Sequence, residues 1–218
     1  MNGIDLLPLA VGHMIGLGAI GSCIGVGLMA SRYLLFSKDL IILADSASRS
    51  APRIPDRRFL FSSPVHFLSL GLGSGLSPKA PGTAGSLAAV PLYLLLYWKL
   101  PAQLIFMLCI PLFALGVWLC QRTTQALGVD DHPAIVWDEM VAVWLVLAAL
   151  PIELSWSADG VIWTIIGVAL FRLFDIWKPV PIRQLDQKVG GGLGIMLDDL
   201  AAAVYTLLVC YLGKLLIS

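Results

Sequence analysis

Acidic side chains stand in this sequence where apolar segments should exclude them. Asp138 and Glu139 are flanked by Ile135-Val136-Trp137 and Met140-Val141, Asp175 sits between Phe174 and Ile176-Trp177, and Asp198 and Asp199 follow Ile195-Met196-Leu197. A carboxylate inside a membrane span costs about 2.5–3.5 kcal/mol on insertion scales, so such acids mark function by default. Adjacent side chains on a helix diverge by about 100°, so at least one of Asp138 and Glu139 faces the interior of a bundle. Snorkelling toward a headgroup layer would gain that pair little, and a metal ion is the more economical partner. Asp198 and Asp199 open the last apolar segment, where acids also favour the helix dipole, but two of them exceed what capping requires.

Bases accompany these acids. Arg172, Asp175 and Lys178 recur three residues apart, placing an acid between two bases along one helical stripe. That stripe reads either as an intrahelical ion-pair ladder or as part of a site for phosphate, where carboxylates hold a hard cation and bases meet phosphoryl oxygens. Pro179 and Pro181 end the helix, and Arg183 follows. The stretch Gly71 to Ser86 holds many small residues that would let backbone N–H groups approach an anion, although such loops are often only turns. It lacks the Gly-Lys-Ser/Thr ending of a Walker A loop. His13 and His66 lie in apolar surroundings and read as packing residues. His132, in Asp130-Asp131-His132-Pro133, reads as a turn and helix cap rather than a proton carrier. Cys23, Cys109, Cys120 and Cys210 lie in or beside apolar segments without Cys-x-x-Cys spacing, and read as small packing residues.

The elements that must position these groups are set by composition. The chain has 218 residues, is 58% hydrophobic and 13% charged, and has a mean hydropathy of +0.88, which places it in a bilayer. Its formal net charge of zero gives no basic footprint for nucleic acid. Long uncharged runs point to an all-α integral membrane protein with about six transmembrane helices, because a span needs about 20 apolar residues. The expected spans are 6–30, 86–100, 102–121, 135–152, 160–177 and 195–217, with a short amphipathic or re-entrant helix near 64–72. Residues 1–30 form an N-terminal span whose Gly16, Gly18, Gly21, Gly25 and Gly27 offer a face for close packing, including a homodimer contact. Residues 31–60 form a basic linker broken by Pro52 and Pro55, and 61–218 the main membrane domain. Putting the linker in the cytoplasm also puts Lys79, Arg122, Arg172, Lys178, Arg183 and Lys188 there, leaving Lys99 and Lys214 outside. The turn 151–160, with Glu153, Trp156 and Asp159, is then external, and the acids and bases gather at the cytoplasmic face.

Gly73-Ser-Gly-Leu-Ser-Pro-Lys-Ala-Pro-Gly-Thr-Ala-Gly-Ser-Leu87, Asp131-His-Pro-Ala-Ile-Val-Trp-Asp-Glu139, Phe171-Arg-Leu-Phe-Asp-Ile-Trp-Lys-Pro-Val-Pro-Ile-Arg183 and Gly191-Gly-Leu-Gly-Ile-Met-Leu-Asp-Asp199, in that order, resemble the phosphatidylglycerophosphatase A family over about residues 62–217. The resemblance implies a magnesium-dependent phosphatase of the bacterial inner membrane that converts phosphatidylglycerophosphate to phosphatidylglycerol. It makes Asp138, Glu139, Asp175, Asp198 and Asp199 the candidate metal-binding and catalytic acids, and Ser74, Thr83, Arg172, Lys178 and Arg183 the candidate phosphate-binding groups. Hydrolysis would proceed by attack of water or through an aspartyl-phosphate on Asp138 or Asp198. The first span weakly resembles the first helix of an ATP-synthase rotor c subunit, without the second, carboxylate-bearing helix. A small transporter and a phospholipid-headgroup transferase are the rival readings, since acids in membranes also mark ion paths. The one-sided clustering of polar residues weighs against the first, and the missing Asp-Gly…Asp-x-x-x-Asp pattern of CDP-alcohol transferases against the second.

Overall fold

The computed structural model describes residues 54–151, 158–180, 182 and 189–217. The expected N-terminal span, most of the basic linker, Glu153, Trp156, Arg183 and Lys188 lie outside the described residues. Among the described residues there are helices and no strand, the outcome that satisfying backbone groups in lipid favours.

Two short helices come first. In α1 (Arg57–Phe61) the Asp56 carboxylate accepts from the Phe59 N–H at 2.8 Å; in α2 (Pro64–Ser69) Ser63 caps the Val65 N–H and proline occupies the first turn. The short helix expected near 64–72 therefore covers 64–69. Its His66 ring stacks on Phe59 with centroids 4.1 Å apart, and burial holds its pKa below the ordinary histidine value, in keeping with packing. A 3-10 segment, Gly71–Leu76, follows, with Leu72 and Gly73 at φ of 59° and 101°.

The larger helices are α3 (Pro81–Tyr97), α4 (Ala102–Leu127), α5 (Trp137–Ala148), α6 (Ala158–Trp177) and α7 (Gly191–Ile217). Helix α3 begins earlier than the expected 86–100 because Pro81 suits a first turn, and it carries Pro91 in its interior. Helix α4 ends at Gly128, whose left-handed φ of 74° closes the last turn. By length and composition α4, α6 and α7 can cross a membrane, and α3 is a shorter apolar helix.

Helix α5 departs from expectation. The apolar run 135–152 is helical only from 137 to 148, and its 12 residues rise about 18 Å against a hydrocarbon core of about 30 Å. It is buried from Trp137 through Leu147, touching α3, α4, α6 and α7. Hydrogen bonds fix it: Trp144 Nε1 donates to the Ala89 carbonyl of α3 at 2.9 Å, and Trp137 Nε1 to the Leu112 carbonyl of α4 at 3.3 Å. By contrast α6 leaves Val161, Ile162, Ile165, Ile166, Leu173 and Ile176 exposed, the face a helix turns to lipid.

Candidate active site

The first turn of α5 carries Asp138 and Glu139, and α7 brings Asp198 and Asp199 against them. Asp138, Glu139 and Asp199 each offer a carboxylate oxygen within 4.8 Å of the others, and their residues are only 8%, 9% and 3% exposed. Asp138 Oδ1, Glu139 Oε2 and Asp199 Oδ2 are buried with no hydrogen-bond partner. Clustered buried carboxylates with orphaned oxygens are unfavourable unless something positive stands among them. An all-oxygen donor set of this kind fits a hard divalent cation.

The other two acids line the same cavity, each beside a base. Arg172 Nη1 donates to Asp175 Oδ2 at 2.6 Å and lies 3.5 Å from Glu139 Oε1. Lys178 Nζ meets Asp198 Oδ2 at 2.5 Å, while Asp198 Oδ1 accepts from the Asp199 N–H at 3.1 Å. Lys178 sits at φ 45°, a left-handed conformation that is uncommon for a residue with a side chain, and one that ends α6 with its ammonium on Asp198. The cavity measures about 210 Å³, and Asp130, Asp131, His132, Gly190 and Gly191 join the acids and Lys178 in its wall.

The glycine-rich segment contributes differently from expectation. Ser74 Oγ donates to the Gly71 carbonyl at 2.8 Å and Thr83 lies in the first turn of α3; neither lines the cavity. Its contact with the site is Gly82, where a Cβ would fall on Glu139 Oε1 and 3.1 Å from both terminal nitrogens of Arg172. Arg183 lies outside the described residues.

Two further residues belong to the site's surroundings. Gln121 Oε1, on α4, accepts from the Gly192 N–H at 2.9 Å and so ties down the start of α7. A glutamine within an apolar span needs such a partner, and that was its signal in the sequence. His132 lines the cavity, and its Nδ1 accepts from the Ala134 N–H at 3.1 Å, so the turn read from Asp-His-Pro is present, whereas the helix cap is not: α5 starts after Val136 with no side-chain cap.

Comparison with known proteins bears on the same residues. The model of the family described as phosphatidylglycerophosphatase A matches residues 67–214, a stretch that contains every acid of the cluster. The chain is 46% identical over 157 residues to the phosphatidylglycerophosphatase A of Haemophilus influenzae, covering 72% of this chain and 93% of that protein. It is 45% identical over 154 residues to the Escherichia coli K12 protein of the same name, covering 71% and 86%. A Bacteroides thetaiotaomicron protein, provisionally named a phosphatidylinositol-3-phosphatase, is 37% identical over 156 residues, covering 69% and 94%. No solved structure matches the chain significantly.

Proposed function

The chain belongs to the phosphatidylglycerophosphatase A family, and on that premise we propose that it is a magnesium-dependent lipid phosphatase. It hydrolyses phosphatidylglycerophosphate to phosphatidylglycerol and phosphate, as an enzyme of phospholipid biosynthesis. The observation that carries this reading is the buried trio Asp138, Glu139 and Asp199, with an orphaned oxygen on each, in the wall of a cavity that also presents Lys178. The enzyme sits in the bacterial inner membrane as a helical bundle in which α4, α6 and α7 cross, with this cavity on the cytoplasmic side, where the basic residues concentrate. The N-terminal span adds anchoring and, through its glycine face, a homodimer contact.

Asp138, Glu139 and Asp199 would hold the metal. When bound, magnesium would supply the positive charge and Lewis acidity that phosphomonoester hydrolysis needs. Arg172 fixes Glu139 and Asp175 in place, and Asp175 and Asp198 support the trio from the cavity wall. Lys178, held by Asp198, meets phosphoryl oxygens of the entering dianion. Ser74 closes the turn onto Gly71 ahead of the helix that brings Gly82 against Glu139. A water oxygen attacks phosphorus, the bond to the glycerol oxygen breaks, and a proton passes to that leaving oxygen. Asp198 makes a poor nucleophile, because Lys178 and the Asp199 N–H engage its two oxygens.

A second substrate follows from the Bacteroides relative's name: a phosphoinositide is likewise a membrane lipid bearing a phosphomonoester. The test is phosphate release by purified protein in detergent from phosphatidylglycerophosphate and from phosphatidylinositol 3-phosphate, with and without magnesium. Asp138→Asn and Asp199→Asn variants run in parallel. Magnesium-dependent release from the first lipid, lost in both variants, is the expected result. Preference for the inositol lipid would replace the substrate, and no release from either by folded, magnesium-replete protein would sink the phosphatase reading.

A further inference from the structure

The cavity wall is dominated by acceptors. Asp130, Asp131, Asp138, Glu139, Asp175, Asp198 and Asp199 all face it, and among its described lining residues the side chains able to donate a hydrogen bond are those of Lys178 and His132. A phosphoryl dianion entering such a wall needs donors, and Lys178 already shares its ammonium with Asp198. His132 is different in kind. A backbone N–H can only donate, so the bond from the Ala134 N–H requires a lone pair on His132 Nδ1. The ring proton therefore sits on Nε2, and the imidazole is neutral in this arrangement. Protonating Nδ1 would set two N–H groups against each other and break the turn that leads into α5.

We propose that His132 is a substrate-binding residue, which presents Nε2–H to the phosphoryl group as a fixed neutral donor while Nδ1 holds the Ala134 turn. This rests on the phosphatase reading of the cavity. It assigns His132 no proton transfer: its ring enters and leaves each turnover unchanged. A neutral donor suits this place, since it adds no charge that the surrounding carboxylates would draw away from the substrate.

The two ring nitrogens can be separated by substitution, because an asparagine amide oxygen reproduces Nδ1 and a glutamine amide nitrogen reproduces Nε2–H. His132→Asn should keep the turn and the thermal midpoint of the wild type yet lower kcat on phosphatidylglycerophosphate by about 100-fold, the loss typical of one donor to a charged transition state. His132→Gln should lower the midpoint but keep most of the activity. Inhibition by inorganic phosphate gives a second readout and should weaken in His132→Asn. Wild-type kcat and phosphate inhibition in His132→Asn, or equal losses of kcat in the two variants, would overturn the proposal and leave the phosphatase intact. A wild-type protein inactive on the lipid would overturn both.

Discussion

Gly82 and the carboxylate of Glu139 share one volume. A methyl group at position 82 would strike Glu139 Oε1 and crowd the Arg172 guanidinium, and both are the free ends of side chains that can swing away. Gly82→Ala should therefore leave the thermal midpoint nearly unchanged while lowering kcat at least 10-fold, because a displacement of about 1 Å at a reacting centre can cost about 100-fold. Activity and thermal unfolding measured on the same preparation check this. The acids were legible in the sequence because a carboxylate inside an apolar run is costly, and the structure gathers Asp138, Glu139 and Asp199 into one cluster. The family resemblance makes Ser74 and Thr83 phosphate-side candidates, yet Leu72 and Gly73 turn the chain left-handed and Ser74 closes on Gly71. Spacing does not report such a curl. Nor does it reveal that the contribution of Gly82 is the side chain it lacks.

At the level of elements, the glycines that open α7 let two helices touch through their backbones. A Cβ on Gly192 would meet the Val117 carbonyl oxygen and lie 2.6 Å from the Gln121 nitrogen of α4, and backbone cannot swing aside. Gly192→Ala should destabilise the protein by about 1–3 kcal/mol and, by shifting Asp198 and Asp199 with α7, lower activity as well. Trp144→Phe makes the complementary case: it removes the hydrogen bond to the Ala89 carbonyl, costs about 0.5–1.5 kcal/mol for the bond lost, and lies about one and a half turns from the acids. Its kcat should stay at the wild-type value once the protein is folded. Unfolding midpoints beside kcat for the two variants separate these outcomes. Hydropathy located α4, α6 and α7 well, since their apolar runs are long. It overestimated α5, because an apolar segment continues through Leu150 whether or not the backbone stays helical, and the helix stops at Ala148.

For the whole molecule, the family match begins at residue 67, so removing residues 1–53 should leave phosphatase activity in isolated membranes close to that of the full chain. A loss restored by supplying the first span in trans would instead give that span a part in assembly. The composition made the bilayer legible from the start; the wrapping of a short helix by its neighbours was not, because it depends on which long helices meet. That wrapping has a consequence for the fatty acids of the substrate. With α5 plugging the centre of the bundle behind its acidic first turn, a cavity of about 210 Å³ is smaller than the roughly 300–1,000 Å³ that drug-sized ligands occupy. On the proposed reading it takes a phosphorylated headgroup and leaves the two tails outside. Dilauroyl and dioleoyl substrates should give the same kcat in mixed micelles. If kcat is the same for both, a cell that remodels its fatty acids as the temperature falls would not need to retune this enzyme.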